Sequence, residues 1–345
     1  MKNPVRRLRD ALFINRYIRA VLQLSEADKV QIGQLYDDKV PLPAGAAQDL
    51  RWDHPELESL RKRYAALDWP VISHVQWGAA TQEWLRKTFS YFRGETPYVW
   101  QYRELPRITR LKYFIYLKYA MTQDPAKLLE RLGEDGSFGC WRYEYEGLPP
   151  ISRDLIDSVL EIAFLERELK VLSAKNLRIL DIGAGYGRMA HRMLEACPGI
   201  TDYACVDALP ESSFLCRYYL NHKKLLGRAR VVPLDELPQQ LKVDGFDLAL
   251  NIHSFSECTH AAVEWWVKKV QELRVPYFLI IPNQPEEMLT NEGNGVKRDF
   301  KHLLTEAGYQ EAKVENLILD PAVKELMRVH DRMYLFHNPQ FAGKA

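Results

Sequence analysis

The chain is 345 residues long, with 47 lysines and arginines against 46 aspartates and glutamates and a formal net charge of +1. That balance excludes a broad positive field for drawing nucleic acid to the surface, and the length accommodates one α/β domain of about 200 residues plus an accessory region of somewhat over 100. The five cysteines are odd in number and lack metal-ligand spacing, which excludes a disulfide framework and a zinc site and points to a reducing cytoplasm.

The opening run "MKNPVRRLRDALFINRYIRAVLQL" is basic and then apolar, but charges interrupt it and no long apolar stretch follows. It predicts an amphipathic helix for packing or homodimerisation rather than a stable membrane insertion. Helical segments broken by "VPLPAGA" and "DHP" follow, so residues 1–70 are taken as an N-terminal helical segment. Residues 71–150 are rich in aromatics. Trp77, Trp84, Tyr91, Trp100 and Tyr102, with Gln101 and Arg103, are expected to cover a substrate by stacking and hydrogen bonding, although their spacing also fits helix packing. Trp141, Arg142 and Tyr143, in "CWRYEYEG" before a double proline, are expected to form a lid over the acceptor.

Ser152, followed by acids and an apolar periodic run, predicts a helix starting near Ile151 to Asp154 and running toward Leu172. It leads into a third region, residues 151–345. There, β-rich runs alternate with helical ones: "LRILDI", "YACVDA", "ARVVPL", "FDLALNI", "VPYFLIIP", "EAKVENLI" and "DRMYLFHN". Such alternation predicts a mostly parallel sheet covered on both faces. The last two runs lack a long intervening helix and are expected to pair as an antiparallel hairpin at the sheet edge.

The run "RILDIGAGYGRMA", residues 178–190, sends the first strand into a glycine turn and a helix start. Gly183, Gly185 and Gly187 permit close backbone approach, and the helix start offers free N–H groups for a phosphate or a carboxylate. The spacing is G-x-G-x-G, with Arg188 where a dinucleotide fingerprint needs its last glycine. Asp181 would oppose a pyrophosphate, yet it suits the amino group of a bound amino acid. Asp207, twenty residues after Gly187, can hold both ribose hydroxyls. Leu234 and Asp235, in "PLDEL", are expected to flank an adenine, with capping of the next helix as the alternative for Asp235.

The series strand, "DIGAGYG", ribose acid and "FDLALNI" resembles the class I S-adenosylmethionine (SAM)-dependent methyltransferases. More narrowly, "DIGAGYGRMA", "PESSFLCRYYL" and "NIHSFSE" resemble the sugar O-methyltransferase family over residues 150–337. The resemblance implies an α/β fold with a Rossmann-like seven-stranded methyltransferase sheet behind an N-terminal mainly helical accessory region. It also implies SAM as methyl donor and a hydroxyl of a sugar or glycosylated small metabolite as acceptor.

Acceptors of open α/β sheets bind beyond the carboxyl ends of the strands, where "NIHSFSEC", residues 251–258, should lie. Asn251 is expected to meet the methionine part of the cofactor. His253 is the candidate base for the acceptor hydroxyl, with Glu257 orienting it or holding a substrate hydroxyl. Asn283 is expected to bind the acceptor, with Gln284 second. His302 and His330 are rivals to His253, and Ser254 lacks the setting of a hydrolase nucleophile. Direct in-line displacement needs no metal, and no compact ligand spacing requires one, which leaves a divalent cation as the less favoured case. Competing functions are an O-methyltransferase for aromatic or polyketide hydroxyls and a noncatalytic SAM-binding partner. A dehydrogenase disagrees with the glycine spacing. A nucleic-acid methyltransferase would want a basic tail or an Asn-Pro-Pro-Tyr motif.

Overall fold

The computed structural model describes residue 19 and residues 40–72, 75–94, 96–99, 106–283 and 287–341, with backbone only at 106–108. The predicted amphipathic helix at the chain start, apart from residue 19, lies outside the described residues. So do Trp100, Gln101, Tyr102, Arg103 and Gln284.

Seven strands form one sheet: β1 (Leu177–Ile182), β2 (Ile200–Val206), β3 (Ala229–Val232), β4 (Leu248–His253), β5 (Tyr277–Pro282), β6 (Gln310–Asn316) and β7 (Arg332–His337). Their order is β3-β2-β1-β4-β5-β7-β6: the mostly parallel sheet anticipated from the alternating runs, in the Rossmann-like seven-stranded α/β arrangement that the family resemblance implied. The first five strands pair parallel, while β7 runs antiparallel to both β5 and β6. The expected antiparallel pairing of the last two strands at the sheet edge is found, with chain order exchanged in space so that β7 lies beside β5 and β6 takes the edge. The side chains explain the exchange. "MYLFH" of β7 is almost wholly buried, whereas "QEAKVEN" of β6 is exposed or half-buried, and charged residues suit an edge strand.

Helices α1 (Pro55–Ala65), α2 (Ala79–Lys87), α3 (Pro106–Gln123), α4 (Arg153–Leu169), α5 (Arg188–Ala196), α6 (Pro210–His222), α7 (His260–Glu272), α8 (Lys301–Glu306) and α9 (Pro321–Met327) surround it. Alternation along each strand divides its side chains between two cores. Leu180, Ile182, Ala249 and Ile280 share one with α6, α7 and the forward segment, through Leu57, Leu60, Tyr64, Phe89 and Phe92. Ile179, Leu248, Leu250 and Leu279 share the other with α3, α4 and α5. Burial of both faces is why these strands read as continuous apolar runs. Ser152 caps α4 as expected, its Oγ accepting from Leu155 N at 3.1 Å. The helix stops at Leu169, because Lys170 turns left-handed at φ 57°.

The forward segment is bound to the sheet domain by polar anchors as well. Arg61 donates to Glu211 at 2.8 Å, and the Tyr64 hydroxyl pairs with Ser213 Oγ at 2.8 Å and accepts from Leu234 N at 2.9 Å. No described helix is long and apolar enough to cross a membrane.

Candidate functional site

The turn after β1 is shaped by steric exclusion. Gly183 has φ 73°, and a Cβ there would lie 2.1 Å from Ser254 Oγ; at Gly187, φ 88°, it would lie 2.9 Å from Cys216 Sγ. A side chain at either position would force strands or helix apart. The N–H groups of Gly183 and Ala184 donate to Val206 O, that of Gly187 to Ala184 O, and that of Gly185 to Asp207 at 2.9 Å. Three of the four tie the turn to the end of β2 and Asp207, and that of Gly187 closes the turn on itself. The free donors expected at the helix start are a different set, the N–H groups from Arg188 onward, where the helix begins.

A cavity of about 720 Å³ runs along the carboxyl edge of the sheet past this turn, within the range of small-molecule sites. At its β1–β2 end stand Asp181, Gly183, Gly185, Asp207 and Ser212; at its β4–β7 end stand His253, Asn283, Arg153, Asp157 and Asp331. Trp77 and Tyr98 line it from the forward segment. Asp181 accepts from the Tyr203 hydroxyl at 2.9 Å, Asp207 from Gly185 N and Leu209 N, and Glu257 from Trp77 Nε1 at 2.9 Å. All these donors are neutral. Burial accordingly pushes the carboxyls of Asp181 and Asp207 up to about 7, against the pull of their hydrogen bonds, and raises that of Glu257.

His253 closes β4 with φ 70°, a left-handed conformation that costs a non-glycine residue about 1–3 kcal/mol and is found preferentially at functional positions. Its Nε2 lies 3.2 Å from Asp331 Oδ2. Burial pulls the imidazole pKa down, but the Asp331 carboxylate outweighs it and the net shift is upward; Asp331 is held below its usual range in return. About a third of the imidazole side chain remains open to solvent.

Several expected site residues are placed elsewhere. Asn251 is fully buried and does not line the cavity. Its Nδ2 donates to Ile182 O and Ser254 Oγ, and its Oδ1 accepts from Phe255 N, so it locks the end of β4 to β1 and sets the His253 turn rather than meeting a ligand. Leu234 is buried in the core and Asp235 is clasped by Arg63 at 2.7 and 2.9 Å, both away from the cavity lining. The forward helix α1 fills the space in which they were expected to flank an adenine. Glu257 does line the cavity, but its hydrogen-bond partner is Trp77, and the group that orients His253 is Asp331. Trp141, Arg142 and Tyr143 lie outside the lining. Tyr143 is buried, stacks on Tyr113 with centroids 4.4 Å apart and bridges to Ile151, while Arg142 pairs with Glu144 at 2.7 Å. A loop-like sequence here folds back as packing. Of the aromatic candidates, Trp77 lines the cavity; Trp84 is half-buried on α2 and Tyr91 half-exposed, both outside the lining. His302 stacks on His260 and does not reach the cavity.

Asp331 and Tyr98 are the residues that sequence reasoning missed. Because β7 runs antiparallel, its beginning lies at the carboxyl edge of the parallel strands, and that alone brings position 331 to position 253. Among the described residues no group of three or more His, Cys, Asp or Glu side chains is arranged to hold a metal ion.

The chain matches no protein-family model, and no curated protein matches it. Solved structures do show partial similarity. The [4+2]-cyclase SpnF is 13% identical over 55% of this chain and 83% of its own, with a TM-score of 0.42. A SAM-dependent methyltransferase from Aquifex aeolicus is 16% identical over 50% of this chain and 88% of its own, with a TM-score of 0.38. The mitomycin 7-O-methyltransferase MmcR is 19% identical over 54% of this chain and 57% of its own, with a TM-score of 0.36.

Proposed function

We propose that the protein is a SAM-dependent O-methyltransferase whose acceptor is a hydroxyl of a sugar or glycosylated small metabolite. One observation carries this reading: a single cavity holds the glycine turn with Asp181 and Asp207 at one end and the His253–Asp331 pair at the other. The residues at the first end fit the cofactor. A Cβ at Gly185 would come into van der Waals contact with the Tyr98 ring at 3.5 Å, so the glycine keeps the backbone itself available between turn and ring. Asp207 offers two carboxylate oxygens, each accepting one backbone N–H with Ser212 as a further side-chain donor, and a carboxylate's four lone-pair sites leave capacity for a ribose hydroxyl. The buried carboxyls, satisfied by neutral donors alone, favour a ligand bearing positive charge. Asp181 would hold the amino end, Asp207 the ribose.

When bound, SAM supplies a methyl group already activated by its sulfonium charge. The chain's own task is then positioning and proton removal. The Asp331 carboxylate calls for a proton on His253 Nε2, and the neutral tautomer so fixed leaves the Nδ1 lone pair to take the proton of an acceptor hydroxyl. Asp331 next stabilises the imidazolium that forms. Asn283, whose backbone N–H donates to Ser256 Oγ at 3.0 Å, is held at the cavity wall after β5 and would bind the acceptor. The sugar class rests on the resemblance of "NIHSFSE" and its companions. A cytoplasmic setting accords with the five cysteines being free thiols.

Calorimetric titration with S-adenosylhomocysteine and with NAD tests the cofactor, and a panel of glycosylated acceptors then tests the reaction. Saturable binding of the first ligand alone, with methyl transfer that falls about 10²-fold or more in His253→Ala, is expected. Binding of NAD, or full turnover by His253→Ala with normal cofactor binding, would overturn the respective half of the reading.

A further inference from the structure

Trp77 and Tyr98 belong to the chain ahead of the sheet, where no strand or turn motif points to a cofactor. The Tyr98 ring stands over the glycine turn, within 3.5 Å of where a Cβ on Gly185 would be. Its hydroxyl and Ser212 Oγ share a hydrogen bond at 3.0 Å, and Ser212 lies on α6, which begins just beyond Asp207. Trp77 packs against Tyr98 with ring centroids 5.0 Å apart, and its indole N–H donates to Glu257 beyond β4. One aromatic pair is thus tied by its polar edges to both sides of the turn. The next ring inward, Tyr186, is buried, whereas Trp77 and Tyr98 are only half-buried and both line the cavity. Aromatic faces fixed at their polar ends and left facing a cavity are what a ligand wall consists of.

We propose that Trp77 and Tyr98 are cofactor-site residues, covering the glycine-turn end of the cavity and setting its affinity for SAM. The forward segment then completes the cofactor site, beyond any part it plays in covering the acceptor. The proposal rests on the cofactor assignment above.

The test is calorimetric titration of the full chain with S-adenosylhomocysteine, comparing wild type with Tyr98→Ala, Tyr98→Phe, Trp77→Ala and Trp77→Phe, alongside thermal unfolding of each. Removing a ring should weaken binding about tenfold or more, while the phenylalanine variants, which keep a ring face, should stay within about threefold of wild type. Rescue by phenylalanine marks ligand contact, because a purely structural role would show in the unfolding midpoint and not in affinity. Alanine variants that fold and bind within about twofold of wild type would overturn the proposal. Should alanine prevent folding, Tyr98→Leu and Trp77→Leu decide it by the same criterion, since they retain apolar volume but lose the ring. Wild-type binding is read first, so absence of any binding there would overturn the cofactor assignment itself and be distinguishable from a failure of this pair.

Discussion

Replacing Asp331 by asparagine should lower the pKa of His253. In the native chain burial disfavours the imidazolium, and Asp331 at 3.2 Å outweighs that penalty; Arg188 opposes the proton and Glu161 favours it from farther off. The Coulomb energy of a pair at this distance is about 5 kcal/mol at an effective dielectric of about 20. Solvent reaches a third of the imidazole, which reduces the net contribution to about 1 kcal/mol. Its pH window follows from the two shifts. The raised His253 pKa makes its contribution fully present below the ordinary value of 6.5 and lost as pH rises through the folded-state value. The depressed Asp331 pKa makes its contribution present above 3.8 and lost as pH falls through the folded-state value. Asp331→Asn should therefore cost about 1 kcal/mol more near pH 5.5 than well above the His253 titration, where only the attraction of Asp331 to Arg153 and Arg188 is lost, measured by denaturant unfolding at both pH values. The direct assay is NMR titration of the histidine side chains, with His253 identified by its loss in His253→Asn. An imidazole midpoint unchanged in Asp331→Asn would refute the coupling and with it the assigned tautomer.

Gly183→Ala forces a Cβ to 2.1 Å from Ser254 Oγ at a positive φ; it should destabilise the fold by about 2 kcal/mol or more and abolish S-adenosylhomocysteine binding, and a folded variant of native affinity would contradict the geometry. Arg63→Ala breaks a partly exposed pair with Asp235 and should change stability by about 1 kcal/mol at most, leaving S-adenosylhomocysteine affinity unaltered because Asp235 does not line the cavity; a tenfold loss would restore the adenine role of Asp235. Asp207, ordinarily near 3.8 and raised to about 7 when folded, binds more protons in the native than in the unfolded chain between those values. Stability should then fall as pH rises across that interval. Asp207→Asn should flatten the slope, and an unchanged pH–stability curve would refute the shift.

The alternation of β-rich and helical runs determined the α/β class and the positions of the strands; the interior ones read as unbroken hydrophobic stretches because both their faces are covered, while β6 at the edge was marked by its β-rich run alone. The glycine turn and the acids Asp181 and Asp207 were likewise legible, since they are local in sequence and their geometry is set by the backbone within a few residues. Asn251, Asp235 and Glu257 are polar side chains whose partners no local pattern names, and only the tertiary structure decided that the end of β1, Arg63 and Trp77 hydrogen-bond them, Glu257 still lining the cavity. Asp331 reached His253 because β7 chose the interior position and β6, with its charges, the edge. Pairings across 78 residues and across the boundary between the forward segment and the sheet depend on which apolar faces bury together. That competition is settled by the whole core, and no local run of residues records its outcome.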